Sequence, residues 1–386
     1  MNINTPELSW TFAIAVLSGA GTLFGVGVLL SIGGGRLLIP WLVRKKLNDG
    51  EQRKASDYLN MLHADKKNTP TMGGAFLVPA ALVAAAMGCV VLTVLGADPL
   101  RVWGAFGLAA FALGAHAGLG LWDDYCKLTR RGKDGISGKK KLAAQTLIAT
   151  LCCTGAYLLV GDSGARLVLP FIELHLGILM VPVGVFVMVG ASNAYNLTDG
   201  LDGLAGGTGA IAFYALGGAG VLMAVFGGGD PELAWTTGVL GVAASGALVG
   251  FLYWNRHPAR VFMGDTGSLS LGALLGFMAV LARLELVLAV AGGVFVAEAG
   301  SVMLQVAYFK TTKGKRIFRC SPLHHHYQFG GMHESTVTRK FWKGGMACAA
   351  FALALLPITI QPQPKPQEPP VAEHPKPLPP DAVVQR

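Results

Sequence analysis

The feature that most constrains this chain is a series of long apolar runs that recurs along nearly the whole sequence. A helix that crosses a bilayer needs ~20 mostly apolar residues, and ten runs approach or reach that length. These runs are Thr11–Leu38, Gly73–Leu95, Val102–Leu121, Leu142–Val160, Ile178–Ala194, Gly206–Phe226, Ala234–Trp254, Leu269–Ala282, Leu286–Phe309 and Phe341–Ile360. We therefore expect an all-α polytopic membrane protein with about ten transmembrane helices.

The composition favours the same class. Only 14% of the 386 residues are charged, whereas a soluble domain carries about 25%. The 53 glycines suit a helical bundle in lipid, because small residues let membrane helices approach one another closely. The six cysteines have neither zinc-ligand nor disulfide-framework spacing, so we interpret them as small core residues.

The basic residues predict the topology. Four connectors carry 24 of the 31 Lys and Arg residues, namely Arg44–Met72, Trp122–Lys141, Asn255–Ser268 and Lys310–Lys343. They alternate with nearly uncharged connectors, and basic connectors are retained on the cytoplasmic side of a membrane. We therefore expect both termini outside and the basic connectors in the cytoplasm. On the outer side, the segment Ala165–Gly177 predicts a short β-hairpin around Pro170.

We expect one transmembrane domain, residues 1–360, followed by an outer tail, residues 361–386. The tail has nine prolines in 26 residues, which is typical of a disordered segment with polyproline II character. Met1–Trp10 has no basic region ahead of its apolar run, so a cleavable signal peptide is not expected.

The connector between the seventh and eighth runs contains a lone acid, Asp265, inside the sequence Gly-Asp-Thr-Gly. An acid flanked by glycines at a membrane surface suits a metal ion that stays open to a phosphate ligand. The alternative is structural, because Asp265 or Thr266 could simply cap the next helix.

A pair of acids, Asp123 and Asp124, closes the third run. Acids at a helix C-terminus are destabilising because their charge opposes the helix dipole. We therefore expect the pair to have a role that outweighs this cost, such as metal binding or base catalysis. The alternative is a solvated helix end in which Lys127, three and four residues further on, forms an ion pair with the acids.

Two glycine- and lysine-containing segments could bind anions. Lys66–Gly74 combines lysines, threonines and glycines at a helix start, which suits an anion or, alternatively, an ordinary capped helix. Gly135–Lys141 ends in three lysines that could bind anionic headgroups or close on a phosphate. For at least one of these lysines we prefer the simpler interpretation, a basic flank that orients the chain.

Two further segments are rich in polar side chains. Asn193–Gly203 lacks Lys and Arg but offers Asn196, Asp199 and Asp202, which suit a nucleobase or ribose, or alternatively a capped turn. The run His324–His326 could bind zinc, shuttle protons or contact phosphoryl oxygens. We prefer phosphate contact to zinc, because the sequence places neither Cys nor a spaced His partner at ligand spacing.

These segments can converge at one membrane surface. Carboxylates, lysines, histidines and glycine turns are together the groups that metal-assisted phosphoryl transfer to or from a membrane-bound anion requires.

The motifs resemble a known family. Asp123–Asp124 with Lys127, Asn196–Leu204, Phe262–Ser268 and Ser321–His326 are similar to the phospho-N-acetylmuramoyl-pentapeptide transferase family, within the polyprenyl-phosphate N-acetylhexosamine-1-phosphate transferases. Thr69–Gly74 and Gly314–Phe318 also resemble it, and the resemblance covers roughly Arg44–Trp342. One departure is Tyr327–Gln328, where the family usually has Phe-Glu, so position 328 offers no acid.

The resemblance implies a reaction and a location. UDP-N-acetylmuramoyl-pentapeptide and undecaprenyl phosphate would give lipid I and UMP with Mg²⁺, in peptidoglycan and cell wall biosynthesis. The protein would be a multi-pass protein of the bacterial cytoplasmic (inner) membrane, with its active site on the cytoplasmic face. The lipid bilayer would be a partner, nucleic acid would not, and a homodimer is an expectation from the resemblance alone.

The resemblance also implies roles for residues. Asp123, Asp124, Asp265 and His324 would be catalytic, and Asp265 would ligate the metal. The substrate-binding residues would be Lys66, Thr71, Lys127, Lys139, Asn196, Asp199, Asp202, Asn255, Phe262, Gln305, His325 and His326. Asp123 would act either as a base toward the lipid phosphate or as a nucleophile, so one-step and two-step routes are both open.

Two other functions are alternatives. A related transferase would use UDP-N-acetylglucosamine as the donor. An ion-coupled transporter is a more distant alternative, because transporter sites lie near the bilayer midplane on paired broken helices, whereas these acids lie at helix ends.

Overall fold

The computed structural model describes residues 6–45, 47, 66, 68–129, 135–169, 172–226 and 229–359. The helices are α1 (Pro6–Arg44), α2 (Gly74–Val94), α3 (Pro99–Thr129), α4 (Gly138–Val160), α5 (Met180–Thr198), α6 (Leu204–Phe226), α7 (Pro231–Asn255), α8 (Gly264–Ala282), α9 (Glu285–Ala291), α10 (Gly293–Thr311), α11 (Leu323–Phe329) and α12 (Glu334–Thr359). The predicted proline-rich tail lies outside the described residues.

The chain is a multi-pass membrane protein. Within the described residues, the eight helices α1–α8 are each long and apolar enough to cross a membrane. The predicted ninth span is not one straight helix, because α9 and α10 meet at an angle of 79° around Gly292. Counting that bent pair as one span gives nine candidates. The tenth predicted run falls in α12 as far as Thr359, and Ile360 lies outside the described residues. This helix is long but begins with a polar segment.

Close helix packing depends on glycine in the middle of the bundle. A Cβ on Gly241 of α7 would lie 2.5 Å from the carbonyl oxygen of Phe213 on α6. A Cβ on Gly246, also on α7, would lie 2.3 Å from the carbonyl oxygen of Phe24 on α1. Backbones this close leave no room for side chains, so α7 packs directly against both neighbours and is almost entirely buried.

Glycine also brings two helices against the first turn of α8. A Cβ on Gly120 of α3 would lie 2.2 Å from the carbonyl oxygen of Asp265. A Cβ on Gly74, at the start of α2, would lie 2.3 Å from the backbone nitrogen of Gly267. The ends of α2, α3 and α8 therefore meet at Asp265, and this contact positions the polar cluster described below.

The predicted hairpin is confirmed. Strand β1 (Arg166–Leu169) pairs antiparallel with β2 (Ile172–His175), and Arg166 lies opposite His175. An ion pair between Arg166 and Glu173, 3.3 Å apart, crosses the two strands. The turn at residues 170–171 lies outside the described residues.

The cysteines behave largely as predicted. All six lie within the described residues as free thiols, and Cys89, Cys126, Cys152 and Cys153 are buried. Cys320, outside the membrane-spanning helices, is half-buried, and this burial raises the pKa of its thiol.

Candidate active site

The polar connectors converge on the first turn of α8. Asp265 Oδ2 accepts hydrogen bonds from Lys141 Nζ at 2.7 Å and from Lys127 Nζ at 3.1 Å. Asp265 Oδ1 accepts one from Asn196 Nδ2 at 2.9 Å. The structure thus brings together residues from the ends of α3, α4, α5 and α8, which lie far apart in the sequence.

Asp124 caps the helix that carries Asp265. Its Oδ1 accepts from the Asp265 backbone N–H at 3.1 Å, and its Oδ2 accepts from the Thr266 N–H at 3.0 Å and hydroxyl at 2.8 Å. The charge is unfavourable at the C-terminal end of α3 but favourable at the N-terminal end of α8. The alternative that α8 is capped locally is therefore wrong, because the cap comes from another helix.

Asp123 is buried beside Asp265 and shares its cations. Lys127 Nζ lies 2.8 Å from Asp123 Oδ2, and Lys141 Nζ lies 3.0 Å from the same oxygen. Asp123 Oδ1 accepts from the backbone N–H of Ile136 at 2.7 Å. The simple ion pair between Asp123 and Lys127 is present, but it is one part of a cluster of two acids and two lysines.

Lys141, which sequence reasoning did not single out, is the lysine that reaches the acids. The three lysines of α4 follow one another in its first turn, about 100° apart around the axis. The side chain of Lys139, which the resemblance favoured, is exposed on a different face. Nothing in the sequence distinguishes one of three consecutive lysines from the others. Only the orientation of α4 in the structure shows that Lys141 reaches the acids.

A second cluster surrounds the buried carboxylate of Asp202. Its Oδ1 contacts Lys66 Nζ at 2.7 Å, and its Oδ2 lies 3.0 Å from His257 Nδ1 and 3.0 Å from the Ala259 backbone nitrogen. Glu334 Oε1 accepts from Lys66 Nζ at 2.5 Å and from the Asp202 N–H at 2.6 Å. Asp202 and Lys66 therefore join four connectors by contacts within the protein.

This second cluster does not fit a metal ion well. Among the described residues, Asp202, His257 and Glu334 form a group whose ligand atoms lie within 4.8 Å of one another. The ammonium of Lys66 already contacts both carboxylates, so a second cation would meet a positive charge. Sequence reasoning missed His257 and Glu334, since neither stands at ligand spacing from Asp202.

The first cluster is the more accessible of the two, although a metal ion bound there would have to displace at least one of the two ammonium groups that already face its acids. One oxygen of Asp123 and one of Asp265 face the same two ammonium groups, so both oxygens point toward a shared cationic position. Carboxylate oxygens are the ligands that Mg²⁺ prefers, and this ion retains several waters or phosphate ligands. Asp265 is partly exposed, which leaves it accessible to a ligand from solvent.

The other residues that the resemblance assigns to substrate binding near Asp202 lie at the junction of the same connectors. Asn255 is buried, with its Oδ1 accepting from the Gly203 N–H at 3.0 Å and its Nδ2 donating to the Val261 carbonyl at 2.9 Å. The Phe262 backbone pairs with Pro70 and Gly73 at 2.8 Å each, which holds the connector beside Thr71. The side chains of Phe262 and Asp199 are half-buried, whereas those of Asn255 and Thr71 are buried.

The three histidines have three different partners. His324 Nδ1 lies 3.0 Å from Glu298 Oε2, and His325 Nδ1 lies 2.8 Å from Gln328 Oε1. His326 Nδ1 accepts from the Arg319 N–H at 3.1 Å. The atypical Gln328 thus has an internal contact, and the histidines do not converge on a common point through these nitrogens.

Gln305 holds a loop in place. Its Oε1 accepts from the backbone N–H groups of Ile317 and Phe318 at 3.1 and 3.0 Å, and its Nε2 donates to the Phe318 carbonyl at 3.2 Å. This side chain fixes the segment that leads from α10 to the histidines.

Comparison with known proteins gives consistent results. Residues 105–283 match the family described as Glycosyl transferase family 4. The chain is 40% identical over 347 residues to a phospho-N-acetylmuramoyl-pentapeptide-transferase of Desulfovibrio desulfuricans, covering 86% of this chain and 90% of that protein. It is 39% identical over 350 residues to the protein of the same name from Shouchella clausii, covering 89% and 97%. A protein of that name from Chlamydia abortus is 40% identical over 341 residues, covering 86% and 94%.

Proposed function

This chain belongs to the phospho-N-acetylmuramoyl-pentapeptide-transferase family, and from that premise we propose a role in the reaction for each of its two polar clusters. The protein transfers phospho-N-acetylmuramoyl-pentapeptide from UDP to undecaprenyl phosphate, which yields lipid I and UMP in peptidoglycan biosynthesis. The observation that carries the proposal is the cluster in which Asp123 and Asp265 share Lys127 and Lys141.

The reaction needs cations because it joins two anions. A phosphate monoester carries about two charges near neutral pH. Two unit charges 4 Å apart repel by ~4 kcal/mol at an effective dielectric constant of 20, so four pairings cost roughly 16 kcal/mol. Lys127 and Lys141 offset part of this repulsion, and each can move from a carboxylate to an arriving phosphate oxygen.

Mg²⁺ is the proposed cofactor, held by Asp265 with Asp123 beside it. When bound, the ion neutralises phosphate charge and stabilises the charge that develops on the leaving group. Asn196, which donates to Asp265 Oδ1, fixes the orientation of that carboxylate. Asp124 fixes the backbone beneath it.

We favour direct attack by the lipid phosphate. The carboxylate of Asp123 is buried and faces a backbone N–H and two ammonium groups. Because these donors already occupy both of its oxygens, the carboxylate is less available to attack phosphorus or to accept a proton from the lipid phosphate. A dianionic phosphate is already a competent nucleophile, so Asp123 serves to hold the lysines and the cation in place.

The second cluster is the proposed wall of the nucleoside pocket. Lys66, Asp202 and Asn255 shape this wall through their internal contacts, and Thr71 supports it. Phe262 and Asp199 are the more accessible side chains, so we assign them the direct contacts with uracil and ribose. Lys139, His324, His325, His326 and Gln305 are assigned to the phosphate and sugar side.

The topology extends this assignment. Ten spans with both termini outside would place all four basic connectors, and therefore both clusters, in the cytoplasm. The tenth span would be α12. Residues 1–360 would form the catalytic domain in the bacterial cytoplasmic membrane, with residues 361–386 as an outer tail. A homodimer is proposed from family membership alone.

Release of UMP tests the function. The full chain, purified in detergent, would be mixed with UDP-N-acetylmuramoyl-pentapeptide and a short polyprenyl phosphate, with and without Mg²⁺. We expect Mg²⁺-dependent UMP release from the wild type and a loss of at least ~100-fold in Asp265→Asn. The control is Asp98→Asn, which removes an exposed acid at the opposite end of α3 and should behave as the wild type.

Different failures have different meanings. If folded wild type releases no UMP, the donor assignment is wrong, and UDP-N-acetylglucosamine is the next donor. If Asp265→Asn keeps wild-type activity with the same dependence on Mg²⁺, the donor is right but the metal ligand is wrong.

A further inference from the structure

Glu298 is a buried carboxylate that the roles described so far do not use. It lies on α10, and its side chain is fully buried. Burying a carboxylate is costly unless it is hydrogen-bonded, so its contacts indicate why it is there. Both of its oxygens face His324: Oε1 accepts from the His324 backbone N–H at 3.1 Å, and Oε2 lies 3.0 Å from Nδ1.

This geometry determines the tautomer and the orientation of the His324 imidazole. A carboxylate at Nδ1 favours a proton on that nitrogen, because the carboxylate only accepts hydrogen bonds. The bond to the backbone N–H fixes the first turn of α11 against the same carboxylate, so the carboxylate stays in place beside the ring, and rotation of the ring would lose the Nδ1 contact. Nε2 then faces the connector between α5 and α6, where a Cβ on Gly200 would lie only 2.2 Å from it.

The neighbouring histidine provides an internal comparison. The rings of His324 and His325 are 4.1 Å apart, and their Nδ1 atoms face different groups. The Nδ1 of His325 lies against the amide oxygen of Gln328, whereas the Nδ1 of His324 lies against a carboxylate oxygen. Of these two rings, the carboxylate of Glu298 contacts that of His324.

We propose that Glu298 is a positioning residue that fixes the tautomer and orientation of His324, so that Nε2 faces the connector between α5 and α6. The end of α5 and this connector contribute residues to both polar clusters. This inference rests on the proposed function, in which His324 contacts the donor. Glu298 touches no substrate itself and acts through the imidazole, in the way that partners behind a functional histidine orient its ring.

A double-mutant cycle tests the proposal. UMP release would be measured for wild type, Glu298→Gln, His324→Ala and the double variant, as full-length proteins in detergent with Mg²⁺. We expect Glu298→Gln to lower kcat by about 10–100-fold with a much smaller change in KM. The double variant should be no slower than His324→Ala alone, because Glu298 has no effect once its imidazole is gone.

The matched control is Glu285→Gln. Glu285 is also a buried glutamate, but it begins α9 and lies near Arg283, away from the histidines. It should keep wild-type kcat, which separates the effect at Glu298 from a general effect of neutralising a buried acid. Glu298→Asp, which keeps the charge, should retain more activity than Glu298→Gln.

Three results would overturn the inference. The first is that the two single effects multiply in the double variant, since Glu298 would then act independently of His324. The second is that Glu298→Asp is no better than Glu298→Gln, and this comparison still applies if the Gln variant is poorly folded. The third is that Glu285→Gln loses as much kcat as Glu298→Gln. If wild type itself releases no UMP, the proposed function fails before the cycle is measured.

Discussion

The carboxylate of Asp124 caps the helix that carries Asp265, although the two residues are 141 positions apart in the chain. One acid thus supports the backbone of another. The acid pair at the end of α3 is unfavourable because its charge opposes the dipole of that helix. The favourable interaction of Asp124 with the N-terminus of α8 compensates for this. Of the two neighbouring acids, Asp124 builds the site, whereas Asp123 takes part in the cluster of charges.

Removing this cap should cost stability as well as activity. Asp124→Ala leaves two N–H groups and the Thr266 hydroxyl without their acceptor, so we expect a loss of about 2–4 kcal/mol. Thermal unfolding in detergent would measure it. Thr266→Val removes only one of the three donors and should lower the midpoint less. Equal midpoints for wild type and Asp124→Ala would contradict the capping role.

Lys141 should matter more than its neighbours. Lys141→Met removes an ammonium that faces both Asp123 and Asp265, so we expect about 100-fold slower UMP release. Lys140→Met, on an exposed position next to it, serves as the control and should stay within about twofold of wild type. Lys139→Met tests the assignment that the resemblance favoured, and a loss larger than that of Lys141→Met would reverse our choice.

Breaking the buried ion pair of Lys66 and Glu334 should destabilise the fold more than breaking the more accessible pair on the hairpin. Glu334→Gln leaves Lys66 with one carboxylate fewer and weakens the bond to the Asp202 N–H, so we expect about 3 kcal/mol of destabilisation. It should also raise KM for the nucleotide donor. Glu173→Gln, which breaks the more accessible pair with Arg166, should cost less than about 1 kcal/mol. The same unfolding midpoint for both variants would argue against a structural role for the second cluster.

A single methyl group on α3 should disturb the site. Gly120→Ala places a Cβ 2.2 Å from the Asp265 carbonyl oxygen, so α3 or α8 must shift and UMP release should fall by at least about tenfold. Gly118→Ala, two residues earlier, meets nothing within 4 Å and should retain activity. Both rates would be measured at saturating substrate. A Gly120→Ala protein with wild-type kcat would show that the helix ends tolerate separation.

The approximate limits of α1–α8 could be predicted, because the thickness of the hydrocarbon layer sets the length of an apolar run that crosses it. The run predicted as Gly206–Phe226 is α6, and the polar connectors fall at helix ends where they were expected. The bend at Gly292 could not be predicted, since the run is apolar on both sides of the Gly292–Gly293 pair and hydropathy does not report the direction of a helix. A glycine pair in such a run is also compatible with a straight helix, because glycines are common where membrane helices pack closely.

The sequence indicated many of the polar residues that gather at the candidate site, but not which of them contact one another. Carboxylates and lysines at one surface indicated phosphoryl chemistry, yet the role of Asp124 depends on a helix that begins 140 residues later. The contacts of Glu334 and Glu298 depend in the same way on distant segments. A sequence shows which side chains are available, whereas the pairing of each oxygen depends on how the helices dock.

The glycine contacts of α7 set a limit on how the sequence of this protein can change over time. Where Gly241 meets α6 and Gly246 meets α1, even alanine would collide with backbone atoms. Outward positions such as Phe186 and Leu37 contact few protein atoms and can exchange one large apolar residue for another. Mutational tolerance should therefore follow the faces of the helices, and a seam without any chemistry of its own should be among the least variable parts of the chain.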